Sequence, residues 1–501
     1  MSYVKQSSCT ERRIYQIEPI FEPRDQASCD MVDLLLKRLQ LPASGPKAAR
    51  YRVMVASIVR AALGSKVWTE QEKAKPKSKR KTVMLGMAVG NDNWTQYPLV
   101  GAAVGTKVLR AFEGAGFLSL DHESGLREFY TTPNGRAAYR AIMTCWSVSP
   151  SFRRLLKTAS PLFQETGLPL VTVSDVETRA QRSLRIQRNG VKDLLSQVEQ
   201  VRLFGADKVD HQSARVKALV DYWRKHPLVF PDGNATSCAT RKFSDRSLRV
   251  GGRLYGAWTN LPNADRLKCT IDGEPVLQLD ISASQPTLLS VLLGIKLSNL
   301  SEADGWHDPY THLNGLWSYG FTSGQSEEER KTASDRARRI AKAVLLELIG
   351  TGNVDKAHPS QELVQDWSVT QEEWDYFKTK LREAIPALEK LEPRYDAKGN
   401  PTGYLNGAGF LTFHESEIML QTLENLRDQW DIPAYPIHDC LLVKASDWEP
   451  AYVVFVQTIS DYVEVLTGGK VIVPISREGG GLPKASFRGV YSTRDPQHLF
   501  L

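Results

Sequence analysis

The chain has 501 residues, of which 42 % are hydrophobic and 24 % charged, so it is neither a low-complexity nor a mostly disordered protein. A formal net charge of +7 and a pI near 8.9 are compatible with a polyanionic partner but do not require one. No apolar run approaches the roughly 18 residues of a membrane span. The 6 cysteines show no metal-binding spacing, so we expect a reduced, cytoplasmic protein without structural zinc and without membrane contact.

Two helices are predicted between Met31 and Leu63, where apolar residues recur at helical spacing. A basic run, KAKPKSKRK, follows at Lys73–Lys81. Its proline and its lack of apolar residues indicate a solvated loop. The alternative is an arm that contacts phosphates.

Residues 98–139 combine a helix with a β-hairpin. The predicted helix, Gly105–Glu113, ends at a glycine signal, and an apolar strand (FLSL), a polar turn (DHESG) and a second strand (LREFYTT) follow it. This order resembles winged helix-turn-helix domains, in which the last helix enters a DNA groove and the hairpin, here around His122–Arg127, flanks the backbone. Winged helices also serve as protein-docking modules, so DNA contact and docking both stay open.

Residues 150–245 are predicted to be mostly helical and rich in charge. Long helices of this kind either clamp a duplex or pack within the protein. The following segment contains Asp272-Gly273, a strong two-residue hairpin signal, which predicts an antiparallel strand pair that ends at Asp280.

Two aspartates end short apolar runs of strand type, Asp280 in LQLDIS and Asp439 in YPIHDC. Chemistry that uses two divalent cations a few ångströms apart needs acidic ligands on rigid, adjacent strands. The pattern therefore predicts that Asp280 and Asp439 lie on neighbouring strands and hold two Mg²⁺ (or Mn²⁺) ions for phosphoryl transfer.

Five segments between about residues 250 and 450 resemble, in the same order, motifs of the A-family DNA polymerases and of their relatives, the phage-type single-subunit RNA polymerases. These segments are Gly252-Arg253-Leu254 with Asn260-Leu261, Asp280-Ile281-Ser282, His307-Asp308-Pro309-Tyr310-Thr311, Arg338 with Lys342, and Ile437-His438-Asp439. Arg338 and Lys342 are four residues apart, which places them on one face of a helix.

The resemblance implies a role for each of eight residues. The roles are catalytic for Asp280, Asp439 and Lys342; metal-binding for Asp280 and Asp439; nucleotide-binding for Arg338, Lys342 and Gln285; and primer- or template-binding for Arg253, His438 and Asn260.

The chain also departs from the family pattern. Ile349-Gly350 stands where the family has a tyrosine-glycine pair, Cys440 stands where the DNA enzymes have a glutamate, and the helix around Glu415 replaces a glutamine-bearing one. Gln285 replaces the glutamate that excludes a ribose hydroxyl in the DNA enzymes. The choice of sugar is therefore open. Residues 1–250 contain no paired acidic motif of a proofreading exonuclease.

The predicted fold class is α+β, with a right-hand palm–fingers–thumb core and an antiparallel palm sheet, preceded by a mainly helical, winged-helix-like domain. The predicted domains are 1–150 for DNA binding or docking, 151–245 for a helical thumb-like region, 246–300 for the first part of the palm, 301–429 for the fingers, and 430–501 for the second part of the palm.

The predicted function is template-directed nucleotidyl transfer. A DNA polymerase without proofreading is favoured over an RNA polymerase or primase, because Gln285 is as long as glutamate. The alternatives are a winged-helix DNA-binding regulator with a degenerate palm and a metal-dependent nuclease, although a nuclease needs no triphosphate-binding pair. The expected partners are a DNA primer–template or template, nucleoside triphosphates, and replication or mobile-element proteins.

Overall fold

The computed structural model combines helices with mostly antiparallel sheets, which is the α+β class that the sequence predicts. It describes residues 12–489 apart from 18–20, 46, 74–81, 88–99, 132–136, 157–162, 166–168, 177–193, 232, 294–318, 352, 396–398, 400 and 469–472. The predicted motif His307–Thr311 and nearly all of the basic run Lys73–Lys81 lie outside the described residues.

The strands follow one another along the chain. They are β1 (Arg12–Gln16), β2 (Phe21–Pro23), β3 (Thr82–Met87), β4 (Leu118–Thr131), β5 (Ala137–Val148), β6 (Phe163–Glu165), β7 (Val171–Val173), β8 (Leu228–Val229), β9 (Ala235–Thr236), β10 (Thr240–Ser244), β11 (Ser247–Tyr255), β12 (Thr270–Ile271), β13 (Glu274–Ile281), β14 (Pro393–Tyr395), β15 (Pro401–Tyr404), β16 (Ala434–Ile437), β17 (Cys440–Lys444), β18 (Val473–Gly479) and β19 (Leu482–Gly489).

The α-helices are numbered in the same way. They are α1 (Gln26–Arg38), α2 (Ala48–Lys73), α3 (Gly101–Gly114), α4 (Pro150–Leu155), α5 (Gln197–Phe204), α6 (Ala206–Trp223), α7 (Asn263–Arg266), α8 (Ser284–Leu292), α9 (Glu327–Thr351), α10 (Gln361–Trp367), α11 (Gln371–Ala384), α12 (Ala408–Trp430) and α13 (Trp448–Thr467). None of these described helices is both long enough and apolar enough to cross a membrane.

The chain divides into two compact units, each built from more than one segment. The first unit contains residues 1–170, 180–194 and 223–240, and the second contains 171–179, 195–222 and 241–501. The domain boundaries that the polymerase resemblance implies stay predictions.

The first unit contains a four-stranded sheet in the order β1-β3-β5-β4. Helices α1, α2 and α3 supply much of its apolar core, with fully buried residues such as Leu35, Val59 and Phe112. Helix α1 begins with a capping box, because the Asp25 carboxylate accepts from the backbone N–H of Ser28 and the Ser28 hydroxyl oxygen accepts from the backbone N–H of Asp25. Helix α3 is followed by the antiparallel pair β4 and β5, but both strands of the predicted hairpin lie within β4.

The predicted polar turn at DHESG is wrong. Strand β4 runs through it, and the pairing with β5 jumps from Asp121 opposite Cys145 to Leu126 opposite Met143. The extra residues on β4 are accommodated as a bulge, which a sequence rich in turn-forming residues also permits. Strand β4 continues to Thr131 and β5 begins at Ala137, so the chain reverses direction later than predicted.

The second unit is organised around strand β13. It pairs antiparallel with β17 on one side and with β18 on the other, and the sheet continues outward to β16 and β19. The predicted hairpin at Asp272-Gly273 is confirmed, since these two residues connect the antiparallel strands β12 and β13. Helix α13 packs against β13, β17 and β18, and α12 packs against α13, α8 and β11.

The described part of residues 150–245 is less helical than predicted, and residues 177–193 of the predicted helical segment lie outside it. Helices α5 and α6 form as expected, and α5 starts with a Ser196–Glu199 capping box. The same stretch also contains the short strands β6 to β10. Strands of two to five residues are too short to show a clear periodicity, so a charged sequence context conceals them.

Candidate active site

Asp280 lies near the end of the central strand of the second unit. It stands opposite Cys440 of β17 and opposite Ser476 of β18, while its neighbours Leu279 and Ile281 are buried. Because side chains alternate along a strand, Asp280 projects from the face opposite to those two residues. Because β13 is paired with β17 on one side and with β18 on the other, its backbone fixes the direction of the Asp280 carboxylate.

Asp439 lies in the tight turn between β16 and β17, next to Asp280. His438 and Asp439 connect these strands, and His438 adopts a left-handed backbone conformation with φ of 58°. The backbone N–H of Ile281 donates to the carbonyl oxygen of Asp439 at 3.1 Å, which ties the turn to β13. The structure thus brings the two predicted aspartates together at one end of the sheet. Asp439, however, lies in the turn before β17 and not at the end of a strand.

The two carboxylates interact electrostatically. Burial raises the pKa of Asp280 to about 7, and the negative charge of Asp439 acts in the same direction. The positive charges of Lys342, Lys484 and Arg338 act against this shift and lower the pKa. Three cationic side chains therefore stabilise the charged form of Asp280.

These cations come from two separate elements. Arg338 and Lys342 lie one turn apart on α9, where Lys342 is exposed and Arg338 half-buried. Lys484 lies on β19 and forms an ion pair with Glu478 at 2.8 Å. Lys484 is a residue that the sequence analysis missed, because the pairing of β19 with β18 that brings it near Asp280 has no local signal.

The chain turns directly from β13 into helix α8, which carries two polar side chains beside the aspartates. Ser284 donates through its hydroxyl to Oδ2 of Asp439 at 2.7 Å and lies 3.1 Å from Oε2 of Glu415. The Gln285 amide donates through Nε2 to the same Oε2 at 3.0 Å. Gln285 therefore lies in the site, as predicted, and Ser284 is an additional member.

Glu415 is the buried centre of this group. Its side chain is only 1 % exposed, and Oε1 accepts from Arg253, with the guanidinium Nε at 2.7 Å and a terminal nitrogen at 2.5 Å. Burial raises the pKa of Glu415, while the adjacent Arg253 lowers it. Arg253, predicted to contact nucleic acid, is thus already engaged by a carboxylate on one side.

Helix α12 buries four polar residues in succession, His414 to Glu417, and each bonds to a different part of the second unit. His414 Nδ1 lies 2.8 Å from the Tyr462 hydroxyl, and the Ser416 hydroxyl donates to the Gly251 carbonyl oxygen at 3.1 Å. We call His414–Glu417 the polar turn of α12. A polar run inside an apolar helix, HESE between LTF and IML, was the signal that could have found it.

Glu417 holds a second, separate ion network. It pairs with Arg241, which is fully buried and also donates through Nε to the Gly252 carbonyl oxygen at 2.8 Å. It also pairs with Arg215 at 2.8 Å, and Arg215 reaches Glu424, further along α12, at 2.7 Å. These arginines fix α12 against β10, β11 and α6, since a buried charge is tolerated only with a partner.

Gly252 permits the close approach of α12 to β11. Its φ is 88°, and a Cβ atom there would lie 2.8 Å from the Ser416 hydroxyl and 2.9 Å from the Phe243 ring. Only glycine fits both the backbone conformation and the space. Arg253 follows Gly252 in β11, and Glu415 precedes Ser416 in α12. The close approach at Gly252 therefore also determines the distance between the side chains of Arg253 and Glu415.

His438 and Asn260 are the remaining predicted site residues. The His438 ring stacks edge-to-face with Tyr255, at 5.8 Å between centroids. Burial, and then the nearby Arg253, lower the pKa of His438, so the ring is neutral at neutral pH. Asn260 ends a short 3₁₀ helix, Ala257–Asn260, and its side chain lies outside the described part of the chain.

The aspartate pair is the group that fits a divalent ion. Among the described residues, no three His, Cys, Asp or Glu side chains gather into a ligand group. Mg²⁺ often takes only one or two carboxylates and completes its coordination with water and substrate phosphates. Asp280 and Asp439 match this donor set, and a cation would relieve the repulsion that raises the pKa of Asp280.

The first unit presents a different, cationic surface. An open groove of about 400 Å³ along α3 is lined by Ala102, Ala103, Thr106, Lys107 and Arg110. Its two charged residues, Lys107 and Arg110, are both positive. The predicted wing residues His122–Arg127 lie within β4, but their side chains are outside the described residues.

Comparisons with known proteins add little to this picture. No protein-family model matches the chain, and no curated protein matches it. Among solved structures, it is similar to the POL domain of Pol1 from M. smegmatis, in complex with DNA primer-template and dNTP, with 12 % identity and a TM-score of 0.30. The alignment covers 61 % of this chain and 57 % of that one, so this chain spans less than two thirds of that neighbour. A similarity of this size carries no argument about activity.

Proposed function

We propose that the second unit is a template-directed nucleotidyltransferase that uses two divalent metal ions. The observation that carries the proposal is the pairing of Asp280 and Asp439 at one sheet edge, with the charges of Lys342, Arg338 and Lys484 acting on the same carboxylate. Two carboxylates suit metal ions, and a cationic group suits a triphosphate. A nuclease would need the first of these features but not the second.

Each side chain has a proposed task. Asp280 and Asp439 hold the ions, which when bound activate the attacking hydroxyl and stabilise charge on the transferred phosphoryl group. Lys342 and Arg338 bind the nucleotide's phosphates and stabilise the charge that develops on the leaving pyrophosphate. Arg253, His438 and Asn260 contact the primer or template.

In the proposed arrangement, residues 246–300 and 430–501 form the palm, 301–429 the fingers and 151–245 a thumb-like region. The sheet β16-β17-β13-β18-β19 is the proposed palm sheet, and α9 is the proposed fingers helix. The first unit is proposed to bind DNA through the groove along α3, because the charged residues that line this groove, Lys107 and Arg110, are positive.

The sugar of the substrate depends on Gln285. Its Nε2 donates to Glu415, which leaves the carbonyl oxygen of the amide on the opposite side. The side chain is long enough to fill the space of a 2′-hydroxyl, which favours deoxynucleotides. A carbonyl oxygen can also accept a hydrogen bond from that hydroxyl, which is the observation that keeps an RNA-making enzyme or primase as the second candidate.

A primer-extension assay tests the proposal. The full chain is supplied with a DNA primer–template, Mg²⁺ or Mn²⁺, and either four deoxynucleotides or four ribonucleotides at equal concentration. We expect divalent-dependent extension that is faster with deoxynucleotides, and Gln285→Ala should narrow that difference. Faster extension or initiation with ribonucleotides would identify the RNA-making alternative, and no incorporation with either set would overturn the proposal.

A further inference from the structure

Glu415 connects three segments that are far apart in sequence. Its carboxylate contacts Arg253 of β11 and both Ser284 and Gln285 of α8, and Ser284 bonds onward to Asp439. It is the carboxylate of the polar turn of α12 that faces the aspartate pair. The neighbouring Glu417 faces the other way, toward Arg241 and Arg215.

The carboxylate of Glu415 has little capacity left for a metal ion. An ionised carboxylate offers about four acceptor positions. Arg253 takes two of these at Oε1, and Ser284 and Gln285 lie at Oε2. Glu415 is therefore placed to orient its neighbours and not to bind an ion directly.

Each neighbour is held in one orientation. Because the carboxylate accepts and does not donate, Gln285 must turn its NH₂ group toward it, and Arg253 must turn its N–H edge. Ser284 has a single hydroxyl proton, which donates to Oδ2 of Asp439 at 2.7 Å and to Oε2 of Glu415 at 3.1 Å as a three-centre hydrogen bond. Both carboxylates therefore attract the same proton, and Glu415 helps to hold the hydroxyl at Asp439.

We propose that Glu415 is a positioning residue that acts on Asp439 through Ser284 and directly on Arg253. This inference rests on the proposed nucleotidyl transfer, since it assigns the ion to Asp439 and nucleic acid to Arg253. Removal of a group that orients a metal ligand typically weakens metal binding, although the group never touches the ion. The same carboxylate sets which donors of Arg253 remain for a nucleic-acid partner.

The first experiment measures Mn²⁺ binding to the full chain without substrate, by electron paramagnetic resonance of free Mn²⁺. Glu415→Gln and Ser284→Ala should each raise the dissociation constant by about tenfold, the lower end of the range for such orienting groups. Glu424→Gln is the matched control, because Glu424 lies on the same helix as Glu415 and its carboxylate also pairs with an arginine, Arg215. It should change the constant by less than about twofold, as expected for a residue that does not act on the site.

Ser284→Ala keeps the test decisive if Glu415→Gln does not fold, because it removes one hydroxyl and leaves the Arg253–Glu415 pair intact. Unchanged Mn²⁺ binding in Ser284→Ala would overturn the action on Asp439. Equal reductions of Mn²⁺ affinity in Glu415→Gln and Glu424→Gln would assign Glu415 a merely structural part and overturn the proposal as well.

The second experiment measures affinity for a fluorescent DNA primer–template, by anisotropy, in a double-mutant cycle of Glu415→Gln and Arg253→Ala. If Glu415 acts through Arg253, its replacement should weaken binding by about threefold to tenfold in the wild-type background and by less than about twofold in the Arg253→Ala background. Additive effects of the two substitutions would overturn this part of the proposal.

Neither readout requires turnover, so the two proposals fail separately. A protein that shows both effects but never extends a primer would overturn nucleotidyl transfer and leave the positioning part of Glu415 standing. A protein that extends primers and shows neither effect would overturn the inference about Glu415 alone. Wild-type protein that binds no Mn²⁺ at all would overturn both.

Discussion

In the first compact unit, the buried polar side chains that the structure describes are all serine or threonine hydroxyls, whereas the second unit also buries Arg241, Glu373, Glu415 and Glu417. A hydroxyl can bond to the backbone of its own helix, as Ser57 does to Val53, at little cost. A buried charge costs several kcal/mol of desolvation unless a partner offsets it. The second unit therefore maintains an internal electrostatic arrangement that the described part of the first unit lacks.

Lys107 and Arg110 of α3, in the first unit, are exposed instead. Under the proposed function, the second unit performs the chemistry that needs fixed charges, and the first unit provides sequence-independent attraction to a polyanion. Four experiments test this difference between the two units.

The largest effect is expected at the aspartate pair. Asp280→Asn and Asp439→Asn should each reduce incorporation by at least about a thousandfold, because a carboxamide is a poor ligand for Mg²⁺ and the ions supply several kcal/mol of transition-state stabilisation. Single-nucleotide incorporation kinetics and thermal melts measure activity and folding in parallel. Asp272→Asn, in the turn at the other end of β13, is the control. A variant at 280 or 439 with half the wild-type rate would exclude that residue from the metal site.

The cationic pair of α9 should have the next largest effect. Lys342→Ala and Arg338→Ala should each reduce nucleotide affinity and turnover by about tenfold to a hundredfold, the reduction expected for one charge-assisted hydrogen bond. Affinity for duplex DNA should change little. Arg339→Ala provides a matched control on the same helix, since Arg339 is exposed and is not among the main charges acting on Asp280. If duplex binding fell instead and nucleotide kinetics held, the pair would belong to a template-binding surface.

The free energy of unfolding should depend on pH through a buried carboxylate of the second unit, that of Asp280. The pKa of Asp280 in the folded, metal-free protein is raised from 3.8 to about 7. Between these values the folded protein keeps a proton that the unfolded chain releases. The free energy of unfolding should therefore fall as pH rises through this window, by at most about 1.4 kcal/mol per pH unit for this one group.

Asp280→Asn removes this contribution, because the amide does not titrate. Urea unfolding at about pH 5 and about pH 7.5 should show the variant gaining stability relative to wild type as the pH rises. Both measurements require a chelator, so that no divalent ion stabilises the wild-type protein. If the free energy of unfolding depended on pH identically in the two proteins, folding would not raise the pKa of Asp280.

The smallest effect is expected in the first unit. Lys107→Ala with Arg110→Ala should weaken DNA binding a few-fold and make the log–log salt dependence less steep by about 0.9 for each phosphate that the variant no longer neutralises. Anisotropy titrations at several salt concentrations give this slope. Lys37→Ala with Arg38→Ala removes the same charge from the end of α1 and is the control. An equal change of DNA affinity and of its salt dependence in the control would mean that the net positive charge of the protein attracts DNA, and that α3 is not a specific binding surface.

The parts of this fold that could be predicted from sequence are those with a local signal. The turn residues Asp272-Gly273 predicted one hairpin. The apolar runs before Asp280 and Asp439 are strands as predicted, but these strands, β13 and β16, are not neighbours, because β17 lies between them. The four-residue spacing of Arg338 and Lys342 placed both on one helix. Turn-forming residues misled at DHESG, because a bulged strand tolerates the same composition as a loop.

The polar groups around the aspartates were not predictable in this way. Glu415 pairs with Arg253 across 162 positions and with Ser284 across 131, and no periodicity connects such positions. Lys484 reaches the neighbourhood of Asp280 only because β19 pairs with β18, which itself pairs with β13. Sequence reasoning named residues for an expected chemical role and assigned no role to the residues that hold them in place.

Two residues beside the aspartates, Ala283 and His438, have φ values of 53° and 58°. For residues other than glycine, this left-handed conformation raises the free energy of the folded state by about 1 kcal/mol or more. A laboratory selection for heat resistance alone would therefore be expected to recover glycine at both positions early. The same changes would loosen the turn that holds Asp439 and the start of α8 that holds Ser284. Thermostable descendants of this protein should then show a reduced catalytic rate while every catalytic residue is still in place.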